Sequence, residues 1–134
     1  MTFFDTNVLV YASIDQGTDK LEVSTRLITE AIENDTFFIS PLILSEYIFI
    51  LSKLKIVEEQ HEKVIFFSQF VEGDCGRENI LDAYLFCRKI DFCKNINDVM
   101  HLRVAEQTCR RLLTFDADFR NLQKFTELPI EILQ

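Results

Sequence analysis

The stretch Thr2-Phe3-Phe4-Asp5-Thr6-Asn7-Val8-Leu9-Val10 decides how this chain is read. A short run, Thr2-Phe3-Phe4, reads as a core strand, and it stops on a carboxylate. In open α/β sheets ligands sit outside the carboxyl ends of the strands, so Asp5 stands where a site is expected. A second stretch of the same design lies near the other end of the sequence. Arg111-Leu112-Leu113-Thr114-Phe115 reads as another strand and runs straight into Asp116-Ala117-Asp118-Phe119. Whether the two strand ends meet is the question the fold must answer.

Between them, short apolar runs alternate with longer segments of helical spacing, the signature of an α/β domain with a mostly parallel sheet. Apolar Leu21, Leu27, Ile28, Ala31 and Ile32 predict a helix over Asp19 to Asn34, and Thr36-Phe37-Phe38-Ile39 predicts a second strand. Ser40 as N-cap and Pro41 at the first helical position open a helix to about Leu54. Further helices are predicted over Glu58 to Val71, Asn79 to Asp91 and Asn95 to about Arg110, with Gly73 to Gly76 as the clearest loop. The tail, Leu128 to Leu133, reads as a final edge strand, because Pro129 sits at its start, where a ladder donor is dispensable.

A length of 134 residues, nearly half of them apolar, fits one domain spanning 1–134 with a single sizeable core. No stretch approaches the roughly 20 apolar residues that cross a bilayer. The start of the chain lacks a signal-peptide pattern, so a soluble cytoplasmic protein without membrane contact is expected. Cys75, Cys87, Cys93 and Cys109 show no C-x-x-C pair and no repeated spacing, which predicts buried free thiols in place of a zinc ribbon or disulfide framework. A formal charge of −8 argues against a broad basic surface that grips nucleic acid by phosphate neutralisation alone. It does not exclude nucleic acid as a substrate, because acids converging on divalent cations reverse the local charge.

Each acid has two readings. Asp5 could N-cap a helix beginning near Thr6, and Asp116 or Asp118 could cap a short helix through Leu122. Asp98 follows Asn97 at a helix start and resembles a cap, yet Leu102, Ala105 and Cys109 place it at the head of an inward-facing stripe. Glu46 lies in Pro41 to Leu51, a helix apolar nearly all round and expected to be buried on most faces. It faces either solvent or a wet cavity, and a carboxylate beside so much apolar surface is costly unless a cation or donors meet it. His61 falls on a charged, solvated face. His101, three residues after Asp98, is expected as a neighbour of the site and not as a ligand. Asp82 and Asp91 are explained by capping or solvation.

Taken in order, F-F-D5-T-N-V-L-V-Y, S-P-L-I-L-S-E46-Y, I-N-D98-V-M-H-L and L-L-T-F-D116-A-D118-F resemble the PIN-domain ribonucleases, particularly the VapC-type toxins of toxin-antitoxin pairs. The resemblance covers almost the whole chain. It implies a three-layer α/β/α sandwich around a mostly parallel sheet, with Asp5, Glu46, Asp98 and Asp116 gathered to hold Mg2+ or Mn2+. It implies Thr6, Asn7 and Thr114 as supports of those acids, and Asp118 as a fifth acid and candidate metal or water ligand. Magnesium takes oxygen ligands and keeps several waters, so a few carboxylates can hold it with positions left for a phosphate oxygen and an attacking water. The implied activity is endoribonucleolytic hydrolysis of RNA such as tRNA, in a homodimer held inactive by a cognate antitoxin protein.

Two other functions remain open at this point. A PIN fold can serve as a catalytically silent protein-binding scaffold. A metal-dependent phosphatase also gathers acids at strand ends, but Thr6-Asn7 stands where a haloacid-dehalogenase-like enzyme needs a second aspartate. Lys53, Lys55, Arg88, Lys89, Arg103, Arg110, Arg111, Arg120 and Lys124 are candidate RNA contacts, most of them single residues on helix faces.

Overall fold

The computed structural model describes residues 1–134 throughout. Four strands, β1 (Thr2–Phe4), β2 (Phe37–Phe38), β3 (Arg111–Thr114) and β4 (Ile130–Ile132), form one sheet in the order β2-β1-β3-β4. All three pairings are parallel, so the expected mostly parallel sheet is parallel throughout. The register sets Phe4 opposite Leu113, and one residue further the Asp5 N–H donates to the Leu113 carbonyl at 3.0 Å. The carboxyl ends of the two informative strands therefore lie side by side.

Parallel strands need crossovers, and helices supply them. They are α1 (Thr6–Tyr11), α2 (Lys20–Glu33), α3 (Pro41–Lys53), α4 (His61–Ser68), α5 (Arg77–Ile90) and α6 (Ile96–Thr108), with 3-10 turns at Cys93–Asn95 and Ala117–Phe125. Successive strand side chains point to opposite faces, and the paired phenylalanines show what covers each. Phe3 lies against Phe38 and the His101 ring of α6, at centroid distances of 5.8 and 5.6 Å. On the other face Phe4 meets Phe37, which meets Phe67 of α4 and the following Phe70. Helix, sheet and helix make the three-layer sandwich of the PIN-like α/β class that the sequence predicts. No helix is long and apolar enough to cross a membrane.

Local chemistry accounts for the element ends. The Ser40 hydroxyl accepts from the Ile43 N–H at 3.2 Å and Pro41 takes the first helical position, as read from sequence. α5 ends where Asp91 turns left-handed at φ 56°. Three expectations need correction. The helix expected over Glu58 to Val71 is only His61–Ser68, because Val71 bridges Ile39 and the Glu72 N–H donates to the Ile39 carbonyl at 3.0 Å. That edge pairing takes the backbone the helix would need. α3 is not buried on most faces: Ile43, Tyr47 and Leu51 form its single buried stripe, while Phe49 stays 63% exposed. All four cysteines are free, but only Cys87 is buried and Cys93 is exposed.

Candidate metal centre

Asp5 caps a helix with one oxygen and meets other side chains with the second, so capping does not exclude a further role. Its Oδ1 accepts from the Thr6 N–H at 2.7 Å, capping α1, and its Oδ2 accepts from the Thr114 hydroxyl at 2.6 Å and the Asn7 amide at 3.3 Å. Thr114 in turn accepts from Asn7 Nδ2 at 3.2 Å and from the Asp116 N–H at 3.0 Å. Asn7 Oδ1 accepts from the Phe115 N–H at 3.1 Å. A single amide side chain thus ties the end of β1 to the end of β3. The resemblance gave Thr6, Asn7 and Thr114 as supports of the acids, and each makes a hydrogen bond in that position.

Glu46 arrives from α3 and is held by three other donors. Thr6 Oγ1 and His101 Nε2 both lie 2.7 Å from its Oε1, and Asn97 Nδ2 donates to its Oε2 at 3.1 Å. A carboxylate has no proton to give, so the imidazole Nε2 donates. Thr6 is the hinge between the two acids, its amide on Asp5 and its hydroxyl on Glu46. The side chain of Glu46 faces a partly wet edge at 26% exposure, whereas His101 is 2% exposed.

Charge and burial compete across this cluster. Burial pushes Asp5 up, and the neighbouring His101, Thr114 and Thr6 offset only part of that. Glu46 ends below its ordinary value, because the His101, Thr6 and Asn97 hydrogen bonds outweigh its own burial. His101 is the converse: burial disfavours the charged ring, but Glu46, Asp5 and Asp98 together raise it. Asp98 sits at the first turn of α6, accepting from Asn95 Nδ2 at 3.4 Å, and is pushed up to about 6 by burial and then by the Asp5 charge, with Asp116 adding to it. Asp116 caps its 3-10 turn by accepting from the Asp118 N–H at 2.9 Å, and Asp118 itself is exposed.

Ligand atoms of Asp5, Glu46 and His101 all lie within 4.8 Å of one another. Asp98 is coupled to that group through Asp5, and Asp116 through Asp98, while Asp118 lies outside the tight cluster. Neighbouring carboxylates, one of them pushed up to about 6 by burial and then by the Asp5 charge, form a donor set suited to a hard divalent cation, whose charge relieves their repulsion. His101 and Asn97 are the residues that sequence reading undervalued as partners of Glu46. They lie one turn apart on a face of α6, but that spacing does not name Glu46, on another helix, as their shared partner. A surface cavity of about 690 Å3 lies elsewhere, beside Cys109, Arg110 and Lys124 to Pro129, and includes none of these acids.

The chain matches the family model of the PIN domain over residues 2–124, and it belongs to that family. Proteins with this domain are generally metal-dependent nucleases, which makes a hydrolase acting on nucleic acid the coarse reading of the fold and its acids. A search of curated proteins finds none that matches.

Proposed function

We propose that this protein is a Mg2+- or Mn2+-dependent endoribonuclease of the VapC type, the toxin of a toxin-antitoxin pair. The observation that carries the reading is the meeting of Asp5 and Glu46 over Thr6, which lies 40 residues before Glu46 in the sequence. Asp5, Glu46, Asp98 and Asp116 would hold the cation, with Asp118 as a further acid at the rim. A divalent ion held there would supply Lewis-acid chemistry for hydrolysis at phosphorus, so no covalent nucleophile would be needed. The chain's own groups do the positioning: Thr6, Asn7 and Thr114 fix both oxygens of Asp5, and His101 and Asn97 fix Glu46. The carboxylates are thereby oriented before substrate arrives.

The substrate in this reading is RNA, tRNA among the candidates, cut in the cytoplasm to leave a 5′-phosphate and a 3′-hydroxyl. An antitoxin would silence the enzyme by offering a basic residue to the acids. The exposed apolar side chains of α3 (Ile48, Phe49) and α5 (Ile80, Leu81, Tyr84, Leu85) support a covered face, in keeping with a homodimer or a bound antitoxin. The test is incubation of the purified chain with total RNA in Mg2+ or Mn2+, followed by end-group analysis. Cleavage that chelator abolishes and that leaves 5′-phosphate ends is expected. Folded protein that binds the cation and cuts nothing would return the scaffold reading.

A further inference from the structure

Over the ring of Phe115, the residue that follows β3, stands a cation that no ion pair includes. Lys20 Nζ lies over the Tyr11 ring at 4.5 Å from its centroid and over the Phe115 ring at 5.6 Å. The two rings meet edge to face at 5.0 Å and 90°. None of the five ion pairs in the structure includes Lys20, although the chain carries 22 acidic residues to 14 basic ones. Two of the cations that the sequence offered as RNA contacts are spoken for, Arg103 by Asp82 and Glu106 and Arg111 by Glu131.

The ring pair is anchored to the acid site. Phe115 is the residue before Asp116, and its N–H is held by Asn7, which also touches Asp5. Tyr11 is four residues after Asn7 on α1, hence on the same helical face. An aromatic face attracts an ammonium by its quadrupole and leaves N–H donors over, so the rings fix where Lys20 stands without neutralising it.

We infer that Lys20, positioned by Tyr11 and Phe115, binds a backbone phosphate of the RNA next to the one being cut. The inference rests on the ribonuclease reading and adds a substrate contact to it. A lysine in this place answers part of the problem that an acidic nuclease poses, since its acids repel the polyanion everywhere except where a cation stands. Lys20 contributes to binding and leaves the chemical step to the acids.

Steady-state cleavage of a single-stranded RNA by wild type and by Lys20→Ala, Lys20→Arg and Tyr11→Leu tests it, over roughly 50 to 200 mM salt. Lys20→Ala should raise KM about tenfold and leave kcat within about twofold, with the slope of log kcat/KM against log salt shallower by about one. Lys20→Arg should keep the wild-type slope, and Tyr11→Leu, which frees the ammonium, should raise KM by an intermediate factor. An unchanged KM and salt slope in Lys20→Ala, or a fall in kcat alone, overturns the inference and leaves the ribonuclease standing. A wild-type protein that cuts no RNA overturns both.

Discussion

His101 and Glu46 each favour the other's charged form. His101 is raised, so the stability it contributes is fully present below the ordinary imidazole value and is lost as pH rises through its folded value. Glu46 is lowered, so its share is present above the ordinary carboxylate value and is lost as pH falls through its folded value. Replacing His101 with Asn should cost about 2 kcal/mol near neutral pH, since it removes the ring donor from Glu46 Oε1 and leaves Thr6 as that oxygen's remaining side-chain donor. In urea melts the gap from wild type should narrow in alkaline buffer, where wild type loses its own imidazolium; a gap that widens there would contradict the pairing. The same substitution should cut nuclease activity about 10- to 100-fold, as loss of a supporting partner does at metal sites. Asp5 and Asp116 stood out in the sequence because each follows a strand, Asp98 because it heads a helix face, and Glu46 because it is the one acid in an apolar helix. His101 was harder to see: its partner lies 55 residues away on α3, and no local spacing reveals such a pair.

At the level of the element, α3 owes its place to one stripe. Tyr47, fully buried, shares a 2.6 Å hydrogen bond with the Ser13 hydroxyl, and Ser13 also donates to the Leu9 carbonyl. Tyr47→Phe removes the first bond but leaves Ser13 an acceptor, so a loss of about 1 kcal/mol is expected by denaturant unfolding. Ser40→Ala should cost about as much, through the lost cap on Ile43. Helices α2, α3, α5 and α6 were legible because apolar residues recur at helical spacing and caps mark their ends. The reach of α4 was not, since the Ile39 to Val71 bridge that stops its chain is a tertiary event. The exposed face of α3 misled for a related reason: an apolar helix surface is taken as core, and sequence cannot tell core from a face kept for a partner. After β3 the sequence offers a short helix through Leu122 capped by Asp116 or Asp118; the structure has a 3-10 turn that Asp116 caps and that runs on to Phe125.

Across the whole molecule, the parallel register of β1 and β3 converts two distant motifs into one acid centre, and that centre is poorly matched to being empty of cations. Asp98 is raised to about 6, so the metal-free fold binds its proton more tightly than the unfolded chain does. Stability from that group is present below the ordinary carboxylate value and falls as pH rises through about 6. Asp98→Asn should therefore stabilise the metal-free protein at pH 7, by about 1 kcal/mol after allowance for solvent screening. It should also blunt the rise in Tm that magnesium gives wild type by binding the native state. That rise should be larger at neutral pH than at about pH 5, where a proton occupies the site instead. The central claim is that the gathered carboxylates hold a cation that hydrolyses RNA, and RNA cleavage by wild type and by Asp5→Asn in Mg2+ tests it most directly. Circular dichroism alongside the assay verifies that both proteins are folded. Wild type is expected to cut, and folded Asp5→Asn to be slower by about 100-fold or more, at or beyond the upper end of what losing a supporting partner costs. Equal rates from the two proteins would contradict the account.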